Sequence, residues 1–235
     1  MKDWNRAESL LYPRKVGPGS SLKAGLMTVD STSTVPSDFV TTLAMAAAAF
    51  RGQTADHRPS AKAVVSALLQ AEKVAKQQRL TYPFDSLLGS WRLCFVTGTR
   101  KARRRGGIVL GRGFYVPKVI SAQISFSSQA QPPKPSLGNG EIGNQIQFGP
   151  LLFKLIGPAQ YPGKKNLLAF DFTRLQLCLF SYTVYSGGFR GGTQAENFSH
   201  QSIAKLPFFA FFLVTQDFIA ARGRGGGLAL WIREA

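Results

Sequence analysis

Histidine and cysteine are nearly missing from this chain of 235 residues, which holds two of each. His57 and His200 stand apart. Neither has a second His, Cys or carboxylate at ligand spacing, so the sequence offers no metal site. Cys94 and Cys178 fall inside predicted strands, where the expected role is that of small buried hydrophobes. They define no disulfide framework and give no sign of an oxidising compartment. Acidic residues are scarce too, 12 against 29 Lys and Arg, and they are scattered. Asp171 is expected to face solvent, and Asp217 to make a turn or pair with an arginine such as Arg222. Gly89-Ser90-Trp91 lacks the flanks of a nucleophile elbow, and Thr97-Gly98-Thr99-Arg100-Lys101 is not a phosphate loop. No catalytic residue can be assigned, and the expectation is a protein that is not an enzyme. No run reaches the ~18 consecutive apolar residues of a spanning helix. The nearest, residues 206–214, is shorter and has the look of a strand.

What the chain has in excess is positive charge and phenylalanine. The formal net charge is +17, and 18 Phe lie almost entirely in the C-terminal two thirds. After residue 80, eighteen Lys and Arg face six Asp and Glu, leaving about +12 on that part. Such a surface favours anionic partners: nucleic acid, acidic proteins or anionic lipid headgroups.

Residues 1–37 lack periodicity and contain Pro13, Pro18 and Pro36. They are basic and rich in Ser and Thr, like an organelle transit peptide, but Asp3, Glu8 and Asp30 fit that poorly. A disordered or extended tail is expected there. Residues 38–80 are expected to be helical. Phe39, Leu43, Ala46, Ala47 and Phe50 form one apolar stripe, ended by Arg51-Gly52. Val64, Ala67, Leu68, Ala71 and Val74 form a second, with Lys62, Lys73, Lys76 and Arg79 on its solvated face and Tyr82-Pro83 as its stop.

From residue 81 to 235 nearly every apolar segment alternates as a strand. The first is Leu87 to Thr99, entered through a Gly turn, with Trp91, Leu93 and Phe95 on one face and Arg92, Cys94 and Val96 on the other. Others are expected around residues 108–116, 118–127, 141–148, 151–156, 168–173, 175–185, 208–214 and 228–233, with Leu175 to Tyr185 alternating as one strand. A run of strands separated by turns in this way means a sandwich or a barrel. Phe208 to Val214 is apolar on both faces, which requires a covering helix, a partner or a membrane. Arg100, Lys101, Arg103, Arg104 and Arg105 crowd one loop that can grip phosphates or simply stay solvated. Arg105-Gly106-Gly107, Arg190-Gly191-Gly192 and the Arg222 to Gly227 segment resemble the Arg-Gly-Gly tails of RNA-binding proteins. As single copies between strands, hairpin turns explain them more cheaply.

A Gly-x-Trp at the start of an all-β domain resembles the lipocalin entry, where the Trp plugs the closed end of a barrel. Several other stretches extend the likeness: Ala49-Phe50-Arg51-Gly52, Leu88-Gly89-Ser90-Trp91-Arg92-Leu93, Ile146-Gln147-Phe148-Gly149-Pro150-Leu151, Asp171-Phe172 and the closing Asp217 to Leu228. In their order and spacing, over roughly residues 39–234, they resemble the plastid lipid-associated proteins, also called plastid fibrillins. That resemblance implies a lipocalin-like antiparallel β-barrel preceded by two helices, found in chloroplasts and cyanobacteria. It also implies association with thylakoids or plastoglobules and a bound carotenoid, quinone or lipid. By the same analogy Trp91 plugs the barrel and Arg233 lies across its indole ring. Family members are often acidic and carry an acidic pair near the closing motif; here the chain is basic and Asp217 stands alone.

The expected function is therefore non-enzymatic: binding an apolar small molecule, or docking peripherally at a photosynthetic membrane, from the stromal or cyanobacterial cytoplasmic side of the thylakoid. The expected ligand-facing residues are Trp91, Leu93, Phe95, Phe170, Phe172, Phe208, Phe212 and Trp231. Arg100, Lys101, Arg103, Arg104 and Arg105 are the expected contacts to an anionic surface or partner. The alternative is a structural or assembly subunit of a photosynthetic membrane complex, without a ligand. Nucleic acid is the least favoured partner.

Overall fold

A computed structural model describes residues 38–53, 57–101, 108–128, 139–189, 198 and 205–234. The tail expected over 1–37, Arg103, Arg104, Arg105, the segment 190–192 and His200 lie outside the described residues. Arg100 and Lys101 are described by their backbone alone.

Two helices open the described chain, α1 (Asp38–Arg51) and α2 (Ala61–Gln78). Each forms because its apolar residues recur at helical spacing. Phe39, Leu43, Ala46, Ala47 and Phe50 of α1 are buried, as are Val64, Ala67, Leu68, Ala71 and Ala75 of α2. Ser60 caps α2 by accepting from the Ala63 amide. The helix stops before Tyr82-Pro83, at Arg79, which takes the left-handed conformation at φ 51°. That C-terminal role usually falls to Gly, so the boundary was not visible in the sequence.

Among the described residues eleven strands follow: β1 (Gly89–Lys101), β2 (Ile108–Tyr115), β3 (Ile120–Ser128), β4 (Asn139–Phe148), β5 (Leu151–Gln160), β6 (Leu167–Phe170), β7 (Arg174–Leu179), β8 (Tyr182–Gly188), β9 (Phe208–Val214), β10 (Phe218–Gly223) and β11 (Leu228–Arg233). All described pairings are antiparallel. Eight strands close a barrel in the order β4-β3-β1-β11-β10-β9-β6-β5, with β5 returning to β4. The chain is mainly β, a closed antiparallel barrel preceded by two helices.

The segment expected as one strand from Leu175 to Tyr185 is a hairpin, β7 and β8, turned by Phe180-Ser181. Both turn residues have positive φ, 47° and 70°. Two-residue hairpins need that geometry, but the usual Asn-Gly signal is absent.

Two long strands each change neighbours along their length. β1 pairs with β3 through Gly89–Arg92 and with β2 through Phe95–Lys101. β5 pairs with β6 through Ala159 and Gln160, and with β7 through Leu151–Ile156. The barrel is therefore tightly closed at the Gly89 end. At the other end it parts into two lips, one carrying β2 and the other carrying β7 and β8.

Two cores result. One lies inside the barrel, built from Trp91, Ile124, Phe126, Ile142, Leu168, Phe170, Phe211, Ile219 and Trp231. The other lies on the outer face of β1, β9, β10 and β11, covered by α1 and α2. The two-faced strand β9 is explained by this arrangement: Phe209 and Phe211 pack with the inner core and Phe212 under the helices.

Candidate functional site

The closed end is built around Trp91, which is fully buried. Its indole N–H donates to the Leu87 carbonyl at 2.7 Å. The Arg233 guanidinium lies 3.9 Å from the centre of its ring. Arg233 also donates to the carbonyls of Gln216 (2.6 Å), Leu88 (3.0 Å) and Ser86 (3.4 Å). One side chain thus ties the last strand, the β9–β10 turn and the entry to β1. Gly89 is needed beside it: its φ is +110°, and a Cβ there would sit 3.0 Å from Arg233 Nη1.

From Trp91 inward the barrel is packed with buried side chains. A chain of rings fills it, with Phe126 against Phe211 at 5.9 Å, Phe209 against Phe170 at 5.1 Å, and Phe209 edge-on to Trp231 at 5.5 Å. The filling stops at Trp231 and Phe209. Above them, between the two lips, lies a cup of about 310 Å³. Leu93, Ile124, Ile146 and Ala229 line it with Trp231 and Phe209, and Asn144, the cross-strand partner of Ile124, is a polar member.

The cup does not end at its rim. Cross-strand partners share a sheet face, and the register carries the apolar wall outward in two rows. One runs Ala122–Ile146–Phe153–Leu177–Tyr185, and the other Ile120–Phe148–Leu151–Leu179–Tyr182. Together they make an apolar apron on β4, β5, β7 and β8, much of it exposed: Phe148 at 60%, Phe180 at the hairpin tip at 70%, and Tyr182 at 78%. The opposite face of β3, β4 and β5 carries Gln123, Ser125, Gln145 and Lys154.

Of the expected ligand-facing residues, Trp91, Phe170 and Trp231 pack in the inner core, Leu93 and Phe172 pack against it, and Leu93 and Trp231 line the cup. Three sit elsewhere. A bulge between Leu93 and Phe95 breaks the period of two in β1. Cys94 and Phe95 consequently both pack beneath the helices, where Phe95 meets Tyr115 edge-on at 5.1 Å. Gly113 is the matching concession, since a Cβ there would collide with the Phe95 ring. Phe212 packs under the helices as well, and Phe208 packs with Ala169, Phe198 and Leu206 outside the barrel interior. Sequence reasoning missed Ile146, Phe209 and the apron. Ile146 and Phe148 did alternate visibly, but only the register shows that they join β7 and β8 on one face.

Several charged residues are engaged within the fold. Arg222 pairs with Glu72 of α2, not with Asp217, and also donates to the Gly226 carbonyl. Arg224 donates to the Leu206 carbonyl at 3.0 Å. Asp217 lies in the β9–β10 turn, its carbonyl accepting from Arg51 at 3.1 Å. Both cysteines are free and buried, and burial pushes the Cys94 thiol up to about 12. Among the described residues, no group of three or more His, Cys, Asp or Glu is placed to hold a metal, and no helix is long and apolar enough to cross a membrane. No protein-family model matches the chain, and no curated protein matches it in sequence.

Proposed function

We propose that this protein is a non-enzymatic carrier of an apolar small molecule, held in the cup and exchanged across the apron at a membrane surface. The observation that supports this most is continuity. A buried aromatic floor, a partly open cup and an exposed apolar sheet face form one uninterrupted surface. A cup of about 310 Å³ stands at the small end of ligand sites, which run from ~300 to ~1,000 Å³. It suits a ring or a chain end, with the rest of an extended molecule lying along the apron rows. Apolar area removed from water contributes ~25 cal/mol per Å², so a long isoprenoid gains more from the apron than from the cup alone. Asn144 offers an amide group to a carbonyl or hydroxyl at the end that enters.

Carotenoids, quinones and lipids meet this description. They are also the cargo implied by the resemblance to plastid lipid-associated proteins, and with it come thylakoid association and membership of that family as parts of the proposal. The net charge of +17 supports docking at an anionic leaflet. The second reading, an assembly subunit of a photosynthetic complex, draws on the aromatic packing of the lower barrel, since the apron would then seat a protein instead of delivering cargo.

The test is extraction of the protein, gently purified from its own host, followed by absorbance and mass spectra of what is released. A stoichiometric carotenoid, quinone or lipid is expected, and Ala122→Trp, which fills the cup from β3, is expected to abolish it. An empty extract from the unaltered protein overturns the carrier and favours the assembly subunit.

A further inference from the structure

A second cleft lies outside the barrel, on the flank where α2 ends. It has a volume of about 510 Å³ and is lined by Ala75, Leu80, Leu167, Ala210 and Phe212, with Lys76, Arg79 and Lys165 at its edge. The floor is apolar, and Leu80 is 38% exposed within it. The single carboxylate of the lining, Glu72, is already matched by Arg222 behind it and by Lys76 at 2.9 Å. Arg79 and Lys165 form no ion pair with any described residue. The rim therefore carries uncompensated positive charge above an apolar trough.

The walls are also held with care. Arg79, Lys165 and Asn166 all have positive φ, at 51°, 60° and 51°. Non-glycine residues seldom adopt that region, and they persist in it where surrounding contacts fix them. Here the fixing is done by Asn166. Its buried side chain donates to the Leu80 carbonyl at 2.8 Å and accepts from the Tyr82 amide at 3.0 Å and the Tyr161 hydroxyl at 3.2 Å. Tyr82 in turn donates to the Phe212 carbonyl at 3.2 Å. The two unpaired cations are thus carried on the two strained turns, and one buried asparagine clamps those turns together.

We infer that this cleft binds an amphiphile with a single anionic head and an aliphatic chain: the chain on Leu80, Leu167, Ala210 and Phe212, the head between Arg79 and Lys165. The geometry separates it from the barrel cup, which lies on the inner side of the sheet with the neutral amide of Asn144 in its wall. The inference is independent of the carrier reading.

Oleate, oleyl alcohol and oleoyl lysophosphatidylglycerol, each below its micellar concentration, serve as probes in calorimetric titrations. Oleate is expected to bind one to one and at least tenfold more tightly than the alcohol. Arg79→Asn with Lys165→Asn removes both charges and keeps residues that tolerate positive φ. This pair is expected to weaken oleate at least tenfold and leave the alcohol unchanged. The stronger of oleate and the lysophospholipid tells a free fatty acid from a phospholipid headgroup. Ala210→Trp fills the trough and is expected to abolish oleate binding, whereas Ala122→Trp in the cup is expected to leave it intact. Unaltered oleate binding by the Arg79/Lys165 variant overturns the inference. So does its loss in Ala122→Trp alone, which would place oleate in the cup and support the carrier reading instead.

Discussion

Arg233 shows how much one side chain can organise when its geometry is fixed. A planar guanidinium stacked on Trp91 sends its N–H groups sideways to three backbone carbonyls. A lysine has the charge but neither the plane nor the fork. Hydrogen bonds from a charged donor are worth ~1.5–3 kcal/mol when partly buried. Arg233→Met is therefore expected to lower unfolding stability by about 2–3 kcal/mol in urea titrations, and Arg233→Lys to recover less than half of it. Glu72 is the second residue with reach, because it joins α2 to the barrel through Arg222. Burial opposes its ionisation, but hydrogen bonds from Arg222 and Lys76, and their charges, outweigh this and hold its carboxyl below the ordinary 4.5. A depressed folded pKa contributes stability that is present above the unfolded value and lost as pH falls through the folded one. Glu72→Gln is expected to reduce stability at neutral pH and to flatten the loss that the unaltered protein shows as pH drops below about 4.5. Equal slopes in both proteins would show that the pair contributes nothing to acid sensitivity.

At the scale of elements, the β7–β8 hairpin combines a structural fault with an exposed ring. Phe180 and Ser181 occupy a turn whose φ values suit Asn-Gly, and the Phe180 ring is left 70% exposed. Replacing the pair by Asn-Gly is expected to raise stability by roughly 0.5–1 kcal/mol through relief of the turn. The same change is expected to weaken association with lipid vesicles measured by flotation. A gain in stability with undiminished flotation would remove the hairpin tip from the membrane contact. This hairpin also marks the boundary of what the sequence made legible. The helices, most strands, the Trp91–Arg233 closure and the barrel class follow from periodicity, turn residues and resemblance. The faces of β1 do not, because a bulge after Leu93 leaves no trace in composition and reverses Phe95. Nor does the apron, because it depends on β5 exchanging β6 for β7 part-way along. Periodicity states that a residue has a face; only pairing states which residues share it.

The whole molecule presents two attractions of different range, and they can be separated. A net charge of +17 acts over the Debye length, ~10 Å at 0.1 M salt and ~3 Å at 1 M. The apron acts only on contact and is indifferent to salt. If both serve one membrane encounter, charge gathers the protein at an anionic leaflet, and Phe148, Tyr182 and Tyr185 then enter the headgroup layer, where rings with a polar tip are favoured. Binding to vesicles containing anionic phosphatidylglycerol is expected to fall several-fold as salt rises from about 0.05 M to about 0.5 M, towards a floor equal to binding on neutral phosphatidylcholine. Phe148→Ser with Tyr182→Ser is expected to lower that floor and to leave the salt-dependent part in place. These positions are exposed, so the fold has little to lose by the change. A floor that does not move would mean that lipid never touches the apron. Its apolar rows would then have to be covered by a protein, which is the arrangement an assembly subunit requires.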